Sequence, residues 1–208
     1  MRKLVLYSGA MARVGLREQK KAETRAALSK AALDLAGQHG LDAVTVDAIA
    51  ERAHVSARTF RNYFSSKEDA ILALLEDVHR QVADTLALRD PDEHVLDSLA
   101  AAVSELVSSA DAVDRTVSVV RLVSQYPSLI ARTMVAHDAM TARMVAEIAR
   151  RTGTDPHTDL YPRLVYHACS AVTAAIVEML AESPPPTESA EALVHRGFAQ
   201  LRNGLAGP

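Results

Sequence analysis

The sequence contains no tryptophan, a single cysteine and only 4% aromatic residues in 208. One thiol, Cys169, closes no internal disulfide, and the eight histidines are scattered without the spacing of a structural zinc site. Scarce aromatics beside abundant alanine, leucine and valine favour helices over strands, so an all-α protein is expected. Long apolar runs are missing as well. Near the N-terminus only Leu4 to Tyr7 is continuously apolar, short of the roughly 7 to 15 residues of a signal-peptide core, and no later stretch reads as a membrane span. A cytoplasmic protein with no membrane partner is the expectation.

Catalytic signatures are absent in the same way. The chain has no Gly-rich phosphate loop, no H-E-x-x-H and no G-x-S-x-G. His167 and Cys169 stand two residues apart, and on a helix such side chains point to different sides, so a nucleophile pair is not formed. Neither an enzyme nor a cofactor or metal site is expected.

What is present is a polarised charge. Residues 1–67 carry 12 Lys and Arg against 6 Asp and Glu, net +6, whereas residues 68–208 carry net −9 and mask this in an overall charge of −3. A basic head on an acidic body points to a polyanionic partner for the head alone.

Periodicity divides the head into three short helices. From Thr24 to His39 apolar residues recur at Leu28, Ala31, Ala32, Leu35 and Ala36, and Gly40 ends the pattern. Thr45 is a good cap for a second helix with Val46, Ile49 and Ala50 on one face. Ser56 caps a third that runs to Phe64, with Phe60 and Phe64 pointing inward together. Ser66 then opens a much longer helix towards Leu88. Breaks at "RDPDEH", near Asp111, at "YPS", at "TGTDPHTD" and at "SPPPTES" separate the remaining long helices, some nine helices in all.

The second and third helices form a helix-turn-helix, whose second member can enter the major groove of DNA. With Phe60 inward, Arg58 and Asn62 point away from the core, flanked by Thr59 and Tyr63 on one side and Arg61 on the other. Arginine can donate a bidentate pair to guanine O6 and N7, while threonine, tyrosine and lysine suit phosphate oxygens.

Residues 40–71, "GLDAVTVDAIAERAHVSARTFRNYFSSKEDAI", closely resemble the N-terminal DNA-binding domain of TetR-family transcriptional regulators. The resemblance implies a helix-turn-helix domain at 21–66, a flexible basic arm at 1–20, and a larger helical ligand-binding and dimerisation domain at 67–208. It implies that Thr45, Thr59, Tyr63 and Lys67 clamp phosphates of a double-stranded DNA operator, and that Ala57, Arg58, Arg61 and Asn62 lie against base edges or the adjoining backbone. Arg58 and Arg61 are the expected sequence readers. Where the family usually has glycine in the turn, this chain has His54, which either sits strained and inert in the left-handed region or touches a phosphate. Arg13, Arg17, Lys20, Lys21 and Arg25 supply the basic arm, with or without DNA contacts.

For the remainder the resemblance implies a ligand-released repressor that binds a palindromic operator as a homodimer through its last two helices. An activator of the same fold, or a helical small-molecule-binding or interaction protein without specific DNA readout, stays open. Small residues recur at Ala168, Ala171, Val172, Ala175 and Met179, and again at Leu193, Gly197, Leu201 and Leu205, as a dimer face or an internal core stripe. Arg121 in the apolar run "TVSVVRLVSQY" is the candidate anchor for an acidic ligand group, or a surface arginine. Met134, His137, Met140 and Met144 form the candidate lining for a small apolar or amphipathic effector, or ordinary core. The "RTFRNYFSSKE" signature is similar to a subset of the family in which some members respond to acyl-coenzyme A thioesters, which implies that class as one candidate.

Overall fold

The computed structural model describes residues 2–205, and for residues 2–16, 134–137 and 139 the backbone alone. Nine α-helices and one 3-10 helix, with no strand, make up the described residues. In chain order they are α1 (Arg2–His39), the 3-10 helix Leu41–Ala43, α2 (Val46–Arg52), α3 (Ala57–Arg61), α4 (Lys67–Leu88) and α5 (Val95–Val107). Then follow α6 (Ala110–Gln125), α7 (Pro127–Thr152), α8 (Leu160–Ala181) and α9 (Ala190–Arg202). The all-α class is the expected one.

Helix ends follow local chemistry. The Thr45 hydroxyl accepts from Ala48 N at 3.2 Å and the Ser56 hydroxyl from Thr59 N at 3.1 Å, each satisfying one of the donors a helix start leaves unpaired. Ser66 does the same for α4 through Asp69 N at 3.1 Å. Pro127 stands in the first turn of α7, where its missing N–H costs nothing. Gly153 closes α7 at φ 65°, a left-handed conformation that a side chain would resist.

Two compact units divide the chain, Met1–Ala73 and Leu74–Pro208. In the first, α1 packs on the 3-10 helix and α2, and α2 packs on α3, around buried Leu28, Ala32, Leu41, Ile49, Phe60 and Ile71. The division falls inside α4, between Ala73 and Leu74. The reason is physical: Ala70, Ile71 and Ala73 are fully buried, and the Lys67 ammonium donates to Leu41 O at 2.8 Å and Val44 O at 3.0 Å. The opening turns of α4 therefore complete the first core. Residues 17–20, expected at the end of an arm, lie within α1 and are exposed. Arg13 has its side chain outside the described residues.

The second unit is built around Leu86, Leu99, Ile148, Tyr166, Val194 and Phe198. A Cβ added at Gly197 would sit 2.7 Å from Val172 Cγ1, so glycine permits the close packing of α9 on α8. That use of Val172, Gly197 and buried Leu193 places part of the small-residue stripe inside the chain's own core. At the far end of α4, Arg151 of α7 donates to Leu86 O (3.0 Å), Arg89 O (3.1 Å) and Asp90 O (2.6 Å) and to the Ser98 hydroxyl (2.9 Å). These bonds tie the chain at the end of α4 to α7, and Leu86 O and Asp90 O also accept from Arg89 N (3.3 Å) and Glu93 N (3.2 Å). One expectation needs correcting. With a mean hydropathy of 1.6, α8 is long and apolar enough to cross a membrane by length and composition, because alanines and β-branched residues dilute its few charges. Its Val165, Tyr166, Cys169 and Ile176 are nonetheless buried in the unit's core.

Candidate nucleic-acid interface and ligand cavity

The interface begins with what fixes α3. Phe60 is fully buried and Phe64 nearly so, their ring centres 5.8 Å apart, and Arg25 lies 5.4 Å over the Phe64 ring. Burial of each phenylalanine stabilises the unit by about 1.5–3 kcal/mol, which holds the rotation of α3 against α2. The regular helix ends at Arg61, shorter than expected, with Asn62 as its cap. Phe64 N still bonds Phe60 O at 3.0 Å, so the aromatic pair keeps helical register.

With that face fixed, Arg58, Arg61 and Asn62 are exposed, and Ala57, Thr59 and Tyr63 are half-buried beside them. Among the described residues neither Arg58 nor Arg61 has an ion-pair or hydrogen-bond partner. Most other arginines do, such as Arg89 with Glu93, Arg143 with Asp84, and Arg202 with Asp97. Two unpaired guanidinium groups on a capped helix are available to a partner. Thr45 is exposed at the start of α2 with its hydroxyl in the cap. The Thr59 hydroxyl shares a 2.9 Å bond with Ser56. Lys67 has two of its three N–H groups on Leu41 O and Val44 O, at the start and just past the end of the 3-10 helix, and one left over. His54 occupies φ 55°, so the turn is kept without glycine.

A separate cavity of about 360 Å³ lies within the second unit. Its walls come from α4 (Val78, Val82), α5 (Val103), α6 (Val117) and α8 (Ile176, Val177), and they are almost wholly apolar. His79, Thr116, Tyr166, Ser170, Thr173 and Glu178 are the polar exceptions besides Cys169. Burial alone pushes the Cys169 thiol up to about 12, leaving it protonated and inert. Met144 belongs to the lining. Met140 is half-buried on α7 but is not part of it, and the side chains of Met134 and His137 lie outside the described residues. Arg121 is exposed and donates to Ala181 O at 2.7 Å, drawn to the carbonyl end of α8 and away from the cavity. The polar lining residues were not singled out from sequence. Their signal was there: His79 sits between Leu75, Val78 and Val82, and Thr116 between Val113 and Val120, each a polar residue on an apolar face.

A capped helix-turn-helix carrying two unpaired arginines, in a chain whose second, helical unit holds an apolar cavity, is the anatomy of a DNA-binding regulator. Residues 28–74 match the family model described as bacterial regulatory proteins, tetR family, and residues 93–206 match the MftR C-terminal domain, a TetR-type C-terminal model. The chain is 30% identical over 165 residues to the HTH-type transcriptional regulator TcmR of Streptomyces glaucescens, covering 76% of this chain and 73% of that one. Its fold is similar to the fatty acid degradation regulator FadR of Bacillus halodurans, at 18% identity and TM-score 0.61, over 89% of this chain and 97% of that one. It is similar as well to the Thermus thermophilus FadR, a TetR-family repressor solved with lauroyl-CoA, at 22% identity and TM-score 0.52, over 88% and 96% of the two chains. The protein belongs to the TetR family of transcriptional regulators.

Proposed function

We propose that the protein is a ligand-responsive repressor that binds a palindromic operator as a homodimer and is released by a small apolar or amphipathic molecule. The observation that carries this reading is the pair Arg58 and Arg61, exposed and unpaired on a helix whose rotation two buried phenylalanines fix. On it, Arg58 and Arg61 read guanine edges, and Ala57 and Asn62 lie against neighbouring bases or backbone. Thr45, Thr59, Tyr63 and the remaining N–H of Lys67 hold phosphates.

Dimerisation falls to the outer face of α8, where Leu160, Tyr161 and Leu164 are exposed at 74%, 42% and 57% and continue into exposed Ala171 and Ala175. Ligand acts through α4, which starts at Lys67 beside the recognition helix and lines the cavity further along with Leu75, Val78, His79 and Val82. Release requires that ligand bind the DNA-incompetent state more tightly. The protein works in the bacterial cytoplasm and carries out no catalysis.

Selection of bound sequences from a random duplex library tests the proposal. The expected result is a palindrome whose half-sites are one or more helical turns apart, bound by two protomers. A selection that enriches no sequence would instead favour the reading without specific DNA recognition. A promoter reporter carrying the selected site then separates repression from activation.

A further inference from the structure

We infer that the cavity takes an apolar molecule that is uncharged or cationic and donates hydrogen bonds, and that it rejects carboxylates, sulfonates and acyl-CoA thioesters. This rests on the cavity being the effector site and names the chemistry that site selects. His79 places Nδ1 2.7 Å from Leu75 O. A carbonyl can only accept, so Nδ1 carries the proton, and in the singly protonated ring Nε2 is left as an acceptor. The Thr116 hydroxyl donates to Ala112 O at 2.9 Å and the Thr173 hydroxyl to Cys169 O at 2.9 Å. Each has its hydrogen committed and only lone pairs to offer. Glu178, exposed on α8, adds a carboxylate. Tyr166, whose hydroxyl accepts from Thr141 at 3.3 Å, and Ser170 complete the polar lining, and no lysine or arginine lines the cavity.

Four groups that can accept, with no lysine or arginine beside them, form a site for N–H or O–H groups on an otherwise apolar body. An anionic ligand would leave water for an apolar space lined by no lysine or arginine, a cost that burial of its charge makes large, and the Glu178 carboxylate in the lining adds repulsion. The volume, about 360 Å³, lies at the small end of the ligand pockets of about 300–1,000 Å³ that proteins use.

Three fluorescent probes on one aromatic skeleton test this with the full-length protein and no DNA. N-phenyl-1-naphthylamine is neutral and donates one N–H; its N-methyl derivative donates none; 8-anilinonaphthalene-1-sulfonate adds an anion. Saturable binding of the first is expected, weakened about tenfold or more by the sulfonate and about fivefold by methylation. In the Thr116→Val, Thr173→Val double variant and in His79→Phe, the preference for the N–H probe over its methyl derivative should shrink, while shape is nearly kept. Glu178→Lys, at an exposed position, should raise sulfonate binding. Equal or tighter binding of the sulfonate, equal binding of the methylated probe, or no saturable binding of any probe would overturn the inference. None of these results bears on DNA recognition by α3, which the library selection measures independently.

Discussion

Replacing Arg58 and Arg61 by alanine, singly and together, removes guanidinium groups that hold nothing within the described residues of the chain. The substitutions should therefore leave folding stability within about 0.5 kcal/mol, as for surface sites without partners. Binding is another matter. A bidentate arginine–guanine pair contributes about 1–3 kcal/mol of discrimination, and a dimer on a palindrome makes every contact twice. Each single variant should lose about 2–6 kcal/mol at the cognate site, roughly 30-fold to more than 10,000-fold, with little change on scrambled duplex. Fluorescence anisotropy at one fixed salt concentration reads both affinities. The salt dependence gives an internal control: Lys67→Ala should weaken all sequences alike and flatten the slope by about one ion per protomer, whereas the arginine variants lose base preference. If the double arginine variant kept its cognate-to-scrambled ratio within threefold, the assignment of α3 as reader would be wrong.

His54→Gly should stabilise the protein by about 0.5–1 kcal/mol, since a side chain at φ 55° costs about 1–2 kcal/mol and glycine's extra unfolded freedom returns part of it; an unchanged or lower thermal midpoint would remove the strain argument. Arg151→Met should cost about 1–3 kcal/mol in urea unfolding, because Arg89 O loses its donor while Leu86 O and Asp90 O keep only the backbone donors Arg89 N and Glu93 N. A loss under about 1 kcal/mol would show that those bonds are incidental. The Arg89 guanidinium and the Ser98 hydroxyl hold Glu93 down at about 2, against an ordinary 4.5. Its lowered pKa adds stability that is complete above 4.5 and disappears as pH falls through about 2. Glu93→Gln should flatten the acid limb of a stability-versus-pH curve in that window, and a parallel curve would count against the pairing.

Local signals carried most of the fold. Thr45, Ser56, Ser66 and Pro127 start helices because each satisfies or avoids a donor within its own turn, and such signals need no knowledge of distant residues. The outward set on α3 was legible for a similar reason, since the buried Phe60 and Phe64 orient a short helix by its own 3.6-residue period. What the sequence did not disclose depends on chain segments far apart. The cavity is assembled from α4, α5, α6, α7, α8 and α9, with His79 and Thr173 almost a hundred positions apart, and no period on one helix reveals that convergence. Arg121 illustrates the limit from the other side: an arginine amid valines reads as a pocket anchor until α8 brings the Ala181 carbonyl beside it. The division between the units lies inside α4, whose Lys67 bonds Leu41 O and Val44 O more than twenty positions earlier, a long-range fact as well.

Ligand and operator must compete for one conformational equilibrium if the protein is a ligand-released regulator. Measuring operator affinity by anisotropy without and with saturating N-phenyl-1-naphthylamine, and probe affinity without and with saturating operator, tests this directly. The account predicts that each weakens the other by the same factor, within the range of about 5-fold to 150-fold that such coupling usually spans. Identical operator affinity in the presence and absence of bound probe would contradict it.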